Sequence, residues 1–114
     1  MSAEEIKKFY EKFNNDTAKM KKQTPQVASG FMNLFGKVMK DGTISLKQKE
    51  LIAISIAVSC YCGPCIKLHV KKCLNAGATR EEILDAASVA VMMSGGPAFT
   101  HLPEVIDALD ANEA

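Results

Sequence analysis

Cys60, Cys62, Cys65 and His69 fall within ten consecutive residues, and Cys62-Gly-Pro-Cys65 is a spacing at which two thiols can close a short disulfide. Only a thiolate attacks a peroxide or a disulfide, so a redox cysteine needs surroundings that lower its pKa. Cys65 falls in the first turn of an expected helix, where unpaired backbone N–H groups carry about half a positive charge. A pKa moved from about 8.5 to about 7 raises the thiolate fraction at neutral pH from a few per cent to about half. Cys62, three residues earlier, can then attack an oxidised Cys65 as the resolving thiol.

His69 follows Cys65 by four residues, so its imidazole stands one helical turn along on the same face, within reach as a base or proton shuttle. Glu50, on the preceding helix, heads a stripe otherwise made of Ala53, Ile54 and Ala57 and should be drawn partly into the core. Burial disfavours the charged form of a carboxylate and suits it to pass protons. The candidate catalytic set is therefore Cys65, Cys62, His69 and Glu50.

Competing uses of these residues weigh less. Cys-Gly-Pro-Cys is also the thioredoxin tetrapeptide, but there it follows a strand in a βαβ pattern, and here it follows a helix in a chain with no Trp. Cys60, Cys62, Cys65 and His69 could ligate zinc or an iron–sulfur cluster, yet structural zinc sites draw on two separated ligand pairs and leave Glu50 without a role. Cys60 reads as a small buried residue ending the third helix, and Cys73 as a core residue of the fourth. His101 reads as an ordinary residue in the first turns of the last helix, and Met92-Met93 as packing or a subunit contact.

Six helices must position this set. Ile6, Phe9, Phe13, Thr17 and Met20 mark one face of a helix from about Ala3 to Lys22. Pro25 suits the first turn of a second, with Val27, Phe31, Leu34, Phe35 and Val38 as its apolar face and Asp41-Gly42 as its end. Ser45 with Gln48 forms a capping box for a third helix, Leu46–Ser59, whose run from Leu51 to Val58 predicts a central buried element. Pro64 opens the fourth helix and Asn75-Ala-Gly77 closes it. Thr79 with Glu82 caps a fifth carrying Ile83, Leu84, Ala87, Val91 and Met92. After the break at Gly95-Gly-Pro97, a sixth helix is expected to turn Phe99, Leu102, Ile106 and Leu109 inward and to finish near Asn112.

The whole is a compact all-α bundle, one domain over residues 1–114, with the Cys-x-x-Cys at the N-terminus of a central helix. Fourteen Lys plus Arg face 13 Asp plus Glu, which leaves no strong pull toward nucleic acid or an anionic membrane. No stretch resembles a signal peptide or a membrane span, so a cytoplasmic protein is expected, where clustered cysteines serve catalysis or metal binding more often than a disulfide framework. With 47% hydrophobic residues, six short helices hold more apolar surface than one small core hides, which predicts a homo-oligomer.

The pattern Glu50-x11-Cys62-x2-Cys65-x3-His69 resembles the signature of the AhpD-like (alkylhydroperoxidase D-like) family within the carboxymuconolactone decarboxylase superfamily, over about Leu46 to Met93. The resemblance implies an all-helical trimer or hexamer acting as a thiol-dependent peroxidase or disulfide oxidoreductase. It implies Cys65 as the peroxide-reacting thiol, Cys62 as the resolving one and Glu50 with His69 as a proton relay, without metal or organic cofactor. A dihydrolipoyl group or a thioredoxin-like protein is the electron donor by the same resemblance. A metal-binding oligomer and a lactone decarboxylase are the alternatives, and the cysteine pair argues against the latter.

Overall fold

The computed structural model describes residues 1–113, all of whose regular structure is helical. The helices are α1 (Ala3–Gln23), α2 (Pro25–Val38), α3 (Leu46–Ser59), α4 (Gly63–Asn75), α5 (Arg80–Ser94), α6 (Gly96–Phe99) and α7 (Leu102–Glu113). Capping boxes start three of them, from Ser2 with Glu5, Ser45 with Gln48 and Thr79 with Glu82, each satisfying orphan amides that would otherwise fray the first turn. No helix is long and apolar enough to cross a membrane among these residues.

At the centre, α3 lies between α4 and α5, α7 packs across α4, and α1 covers α7. Ile54, Val58, Ile66, Val70, Ile83, Val105 and Leu109 are fully buried there, each contributing about 1.5–3 kcal/mol of apolar burial. Val58 and Cys62 are linked by the turn between α3 and α4, where the Tyr61 amide donates to Val58 and the Cys62 amide to Ala57. The two cysteines are thereby tied to the core helix rather than to a free loop.

The expected sixth helix is two. Its short first piece, α6, ends at Phe99, and α7 starts at Leu102 with Pro103 in its first turn. Proline has no N–H for the carbonyl four residues back and its ring crowds the preceding turn, so a helix can begin there but not run through. The break turns Phe99 outward, 61% exposed, and leaves Ile106 39% exposed, so only Leu109 of the four residues expected to face inward is fully buried.

Two further expectations are corrected. α2 stops at Val38, three residues before Asp41-Gly42, because Asp41 serves the next helix instead: its Oδ1 accepts from the first amide of α3, Leu46, at 2.8 Å. Lys49 Nζ donates to the Val38 carbonyl at 2.8 Å, satisfying an acceptor at the end of α2. α3 is likewise not buried on all sides, since Ile52 and Ile56 face solvent. α2 itself packs chiefly on α1, has no buried residue, and exposes Val27, Phe31, Leu34 and Val38.

Candidate functional site

Cys62 is the N-cap of α4, and Gly63, Pro64 and Cys65 are its first three helical residues. Pro64 suits this place because its missing N–H is one of those a helix start leaves unpaired. The Cys65 amide, another of them, donates to Cys62 Sγ at 3.2 Å. Cys62 and Cys65 are joined as a disulfide with their Cα atoms 5.2 Å apart. Both sulfurs therefore lie at the positive end of α4, which favours the thiolate of either once reduced.

The next turn of α4 carries His69, and α3 brings Glu50 to meet it. His69 Nδ1 donates to Glu50 Oε1 at 2.7 Å. Glu50 is 4% exposed on the inner stripe of α3 with Ile54 and Ala57, while His69 is partly exposed on the Cys65 face of α4. With Nδ1 held by a carboxylate, Nε2 is left as the open basic site of the ring, and the imidazole cannot swing away. The expectation that Glu50 is drawn into the core and the joint spacing of Glu50 and His69 thus meet in one hydrogen bond.

Sequence reasoning missed what surrounds this pair. Phe35, from the otherwise exposed α2, stacks on the His69 ring with centroids 6.5 Å apart, and Lys72 Nζ lies 4.5 Å from the centroid of the same phenyl ring. Phe35, Met39, Leu46, Lys72 and Asn75 line an open cavity of about 220 Å³ together with Glu50. Phe35 was one of five apolar residues on the face of α2, and nothing in a periodic pattern singles out the one that reaches another helix. The left-handed backbone of Tyr61, φ 56°, was equally hidden, because a bulky residue there costs about 1–2 kcal/mol and no local sequence signal calls for it.

The remaining cysteines divide. Cys60 is the C-cap of α3 and exposed, not buried as expected, since the helix ends on its outward side. Cys73 is fully buried in α4, as expected, and burial pushes its thiol up to about 12, with the Glu50 charge adding to the effect. His101 does not lie within a helical turn but between α6 and α7, where its ring stacks on Tyr61. Met92 and Met93 are among the most exposed apolar side chains of the chain.

Comparison with known proteins places this architecture. The sequence profile of the carboxymuconolactone decarboxylase family matches residues 25–108. The chain belongs to this family. A carboxymuconolactone decarboxylase family protein from Legionella pneumophila, solved in its apo form, superposes with a TM-score of 0.87 at 34% identity, covering 93% of this chain and 95% of that one. A family member from Thermotoga maritima, whose description raises a role in antioxidative response, superposes with a TM-score of 0.83 at 28% identity over 93% and 90% of the two chains. Among curated relatives, an uncharacterised protein of the cox locus of Paracoccus denitrificans is 36% identical over 84 residues, 74% of this chain and 76% of its own. In this family member the profile spans α2 to α7 and so contains Glu50, both bonded cysteines and His69.

Proposed function

We propose that this carboxymuconolactone decarboxylase family protein is a thiol-dependent peroxidase of the AhpD-like kind, cycling between the Cys62, Cys65 dithiol and their disulfide. The observation that carries the proposal is the carboxylate–imidazole pair of Glu50 and His69, 2.7 Å apart, one helical turn from a cysteine at a helix N-terminus. Cys65 thiolate attacks a peroxide oxygen; the O–O bond breaks, the alcohol or water leaves with a proton relayed through His69, and Cys65 becomes a sulfenic acid. Cys62 thiolate then attacks Cys65 Sγ, the S–O bond breaks, and the hydroxide leaves as water after taking a proton. A dithiol donor, a dihydrolipoyl group or a thioredoxin-like protein in the cytoplasm, returns the disulfide to the dithiol by two exchange steps.

A metal site would need Cys60 beside the pair, yet Cys60 is an exposed cap residue and His69 turns one ring nitrogen to Glu50. Lactone decarboxylation has no use for the cysteine pair. The deciding experiment is a thiol count by iodoacetamide with intact mass, before and after one equivalent of peroxide. The reduced protein should lose two thiols and two hydrogens, with the bond mapped to Cys62 and Cys65; no loss, or a bond elsewhere, rejects the peroxidase reading. In the same assay at about pH 8, Cys73 should stay unmodified until the protein is denatured, because its thiol is pushed up to about 12.

The exposed apolar side chains of α2, with Ile52 and Ile56 on α3 and Val89, Met92 and Met93 on α5, suit a homo-oligomer, a trimer or hexamer by family resemblance. Light scattering at micromolar concentration should give a multiple of 12.3 kDa. A monomer mass across that range removes this part of the proposal.

A further inference from the structure

The residues on either side of Cys62 both meet the start of α7. The Tyr61 ring stacks on the His101 imidazole, centroids 5.4 Å apart and planes 23° from parallel. His101 Nδ1 donates to Glu104 Oε2 at 3.0 Å. The two Glu104 carboxylate oxygens lie 3.7 and 3.9 Å from the point where a Cβ on Gly63 would stand. Lys67 Nζ lies 3.5 Å from that same point and donates to the Gly63 carbonyl at 3.3 Å. A second carboxylate–imidazole pair therefore adjoins the dithiol turn on the Cys62 side, and the reaction at Cys65 does not use it.

The resolving half of the cycle creates a need for such a pair. Cys62 must lose its own proton before it can attack an oxidised Cys65. His69 stands on the Cys65 face of α4 and is held by Glu50 from α3, whereas His101 precedes α7 and Glu104 lies in its first turn. Glu104 occupies Nδ1 of His101 and leaves Nε2 as its open basic site, the same arrangement that fixes His69. Stacking holds the His101 ring against the side chain of Tyr61, the residue that precedes Cys62.

We propose that His101, oriented by Glu104, takes up the proton of the Cys62 thiol, directly or through one water. The S–H bond of Cys62 breaks, its electron pair stays on sulfur, and the proton passes to Nε2; the products are a thiolate and an imidazolium stabilised by the Glu104 carboxylate. Nothing is oxidised or reduced in this step. The inference rests on the reading of Cys62 as the resolving thiol. The other charged or titratable groups near the turn are Lys67 on α4, Cys60 at the end of α3, and Asp107 on α7, which pairs with the Met1 ammonium at the head of α1. α6 and the C-terminal half of α5 carry none.

The test measures Cys62 alone and needs no peroxide. In a Cys60→Ser, Cys65→Ser background, the rate of iodoacetamide alkylation of Cys62, read by peptide mass, is followed from about pH 5 to pH 10. Adding His101→Phe keeps a flat ring for Tyr61 but removes the base, and should move the midpoint up by about one unit, roughly tenfold less thiolate at neutral pH. Glu104→Gln should move it in the same direction by less. If His101→Phe does not fold, His101→Asn, smaller and still able to donate to Glu104, carries the same expectation. A midpoint unmoved by either histidine variant in a folded protein overturns the proposal, even if the wild type consumes peroxide. A moved midpoint in a protein that consumes none overturns the peroxidase reading, and with it the resolving role, and leaves only the proton transfer from Cys62 to His101 standing.

Discussion

Cys65→Ser should abolish peroxide consumption, whereas Cys62→Ser should complete one turnover and stop with a sulfenic acid on Cys65. The loss expected for Cys65→Ser is the whole thiol-dependent rate, because serine at the same helix start has a pKa far too high to ionise near neutrality. Both sulfurs lie at the N-terminus of α4, and Cys62 even receives the Cys65 amide, so the helix alone does not choose between them. In the proposed cycle His69 is expected to make the choice, since it follows Cys65 by one turn on the same face and has its Nδ1 engaged by Glu50. Trapping with dimedone and peptide mass after one equivalent of peroxide checks the assignment. A sulfenic acid on Cys62, or equal residual activity in the two variants, would exchange their roles.

The second large effect concerns the relay. His69→Gln and Glu50→Gln are near-isosteric and keep hydrogen-bonding groups, yet each should slow peroxide reduction by about 10² to 10⁴. The buried Glu50 carboxylate is the anchor of the pair, so its amide no longer supplies the charge that stabilises an imidazolium. Rate against pH between about 5 and 9 distinguishes a proton relay from a structural tie. A relay loses its inflection together with its rate. A Glu50→Gln protein with full activity and a lowered melting temperature would show the carboxylate to be structural only, and an unchanged His69→Gln rate would leave activation of Cys65 to the helix terminus alone.

Most of the helices were legible in the chain because their signals are local. Ser45 with Gln48 and Thr79 with Glu82 each fix a start through hydrogen bonds within three residues, and Pro64 fixes another by what it lacks. The same locality explains the failures. Asp41 looked like a helix end, but its carboxylate was taken by the Leu46 amide, a partner on the next element. Phe99 and Ile106 fit an inward stripe only if one helix runs through Pro103, and that proline starts a new helix with a different orientation.

The sequence by itself determined which residues make up the candidate site. Cys62 and Cys65 meet as neighbours in a helix-opening turn, His69 follows Cys65 by one turn, and Glu50 precedes them on a helix with Ala53, Ile54 and Ala57. Short spacings on regular helices leave the side chains few other places to go. Tertiary packing alone decided which partners close around that site: Phe35 against His69, and His101 with Glu104 against the flanks of Cys62. Those contacts join residues far apart in the chain, and they depend on how α2 and α7 are placed against α4. Helix crossing is set by the fit of whole surfaces rather than by any local residue pattern, so it becomes visible only once the helices are packed.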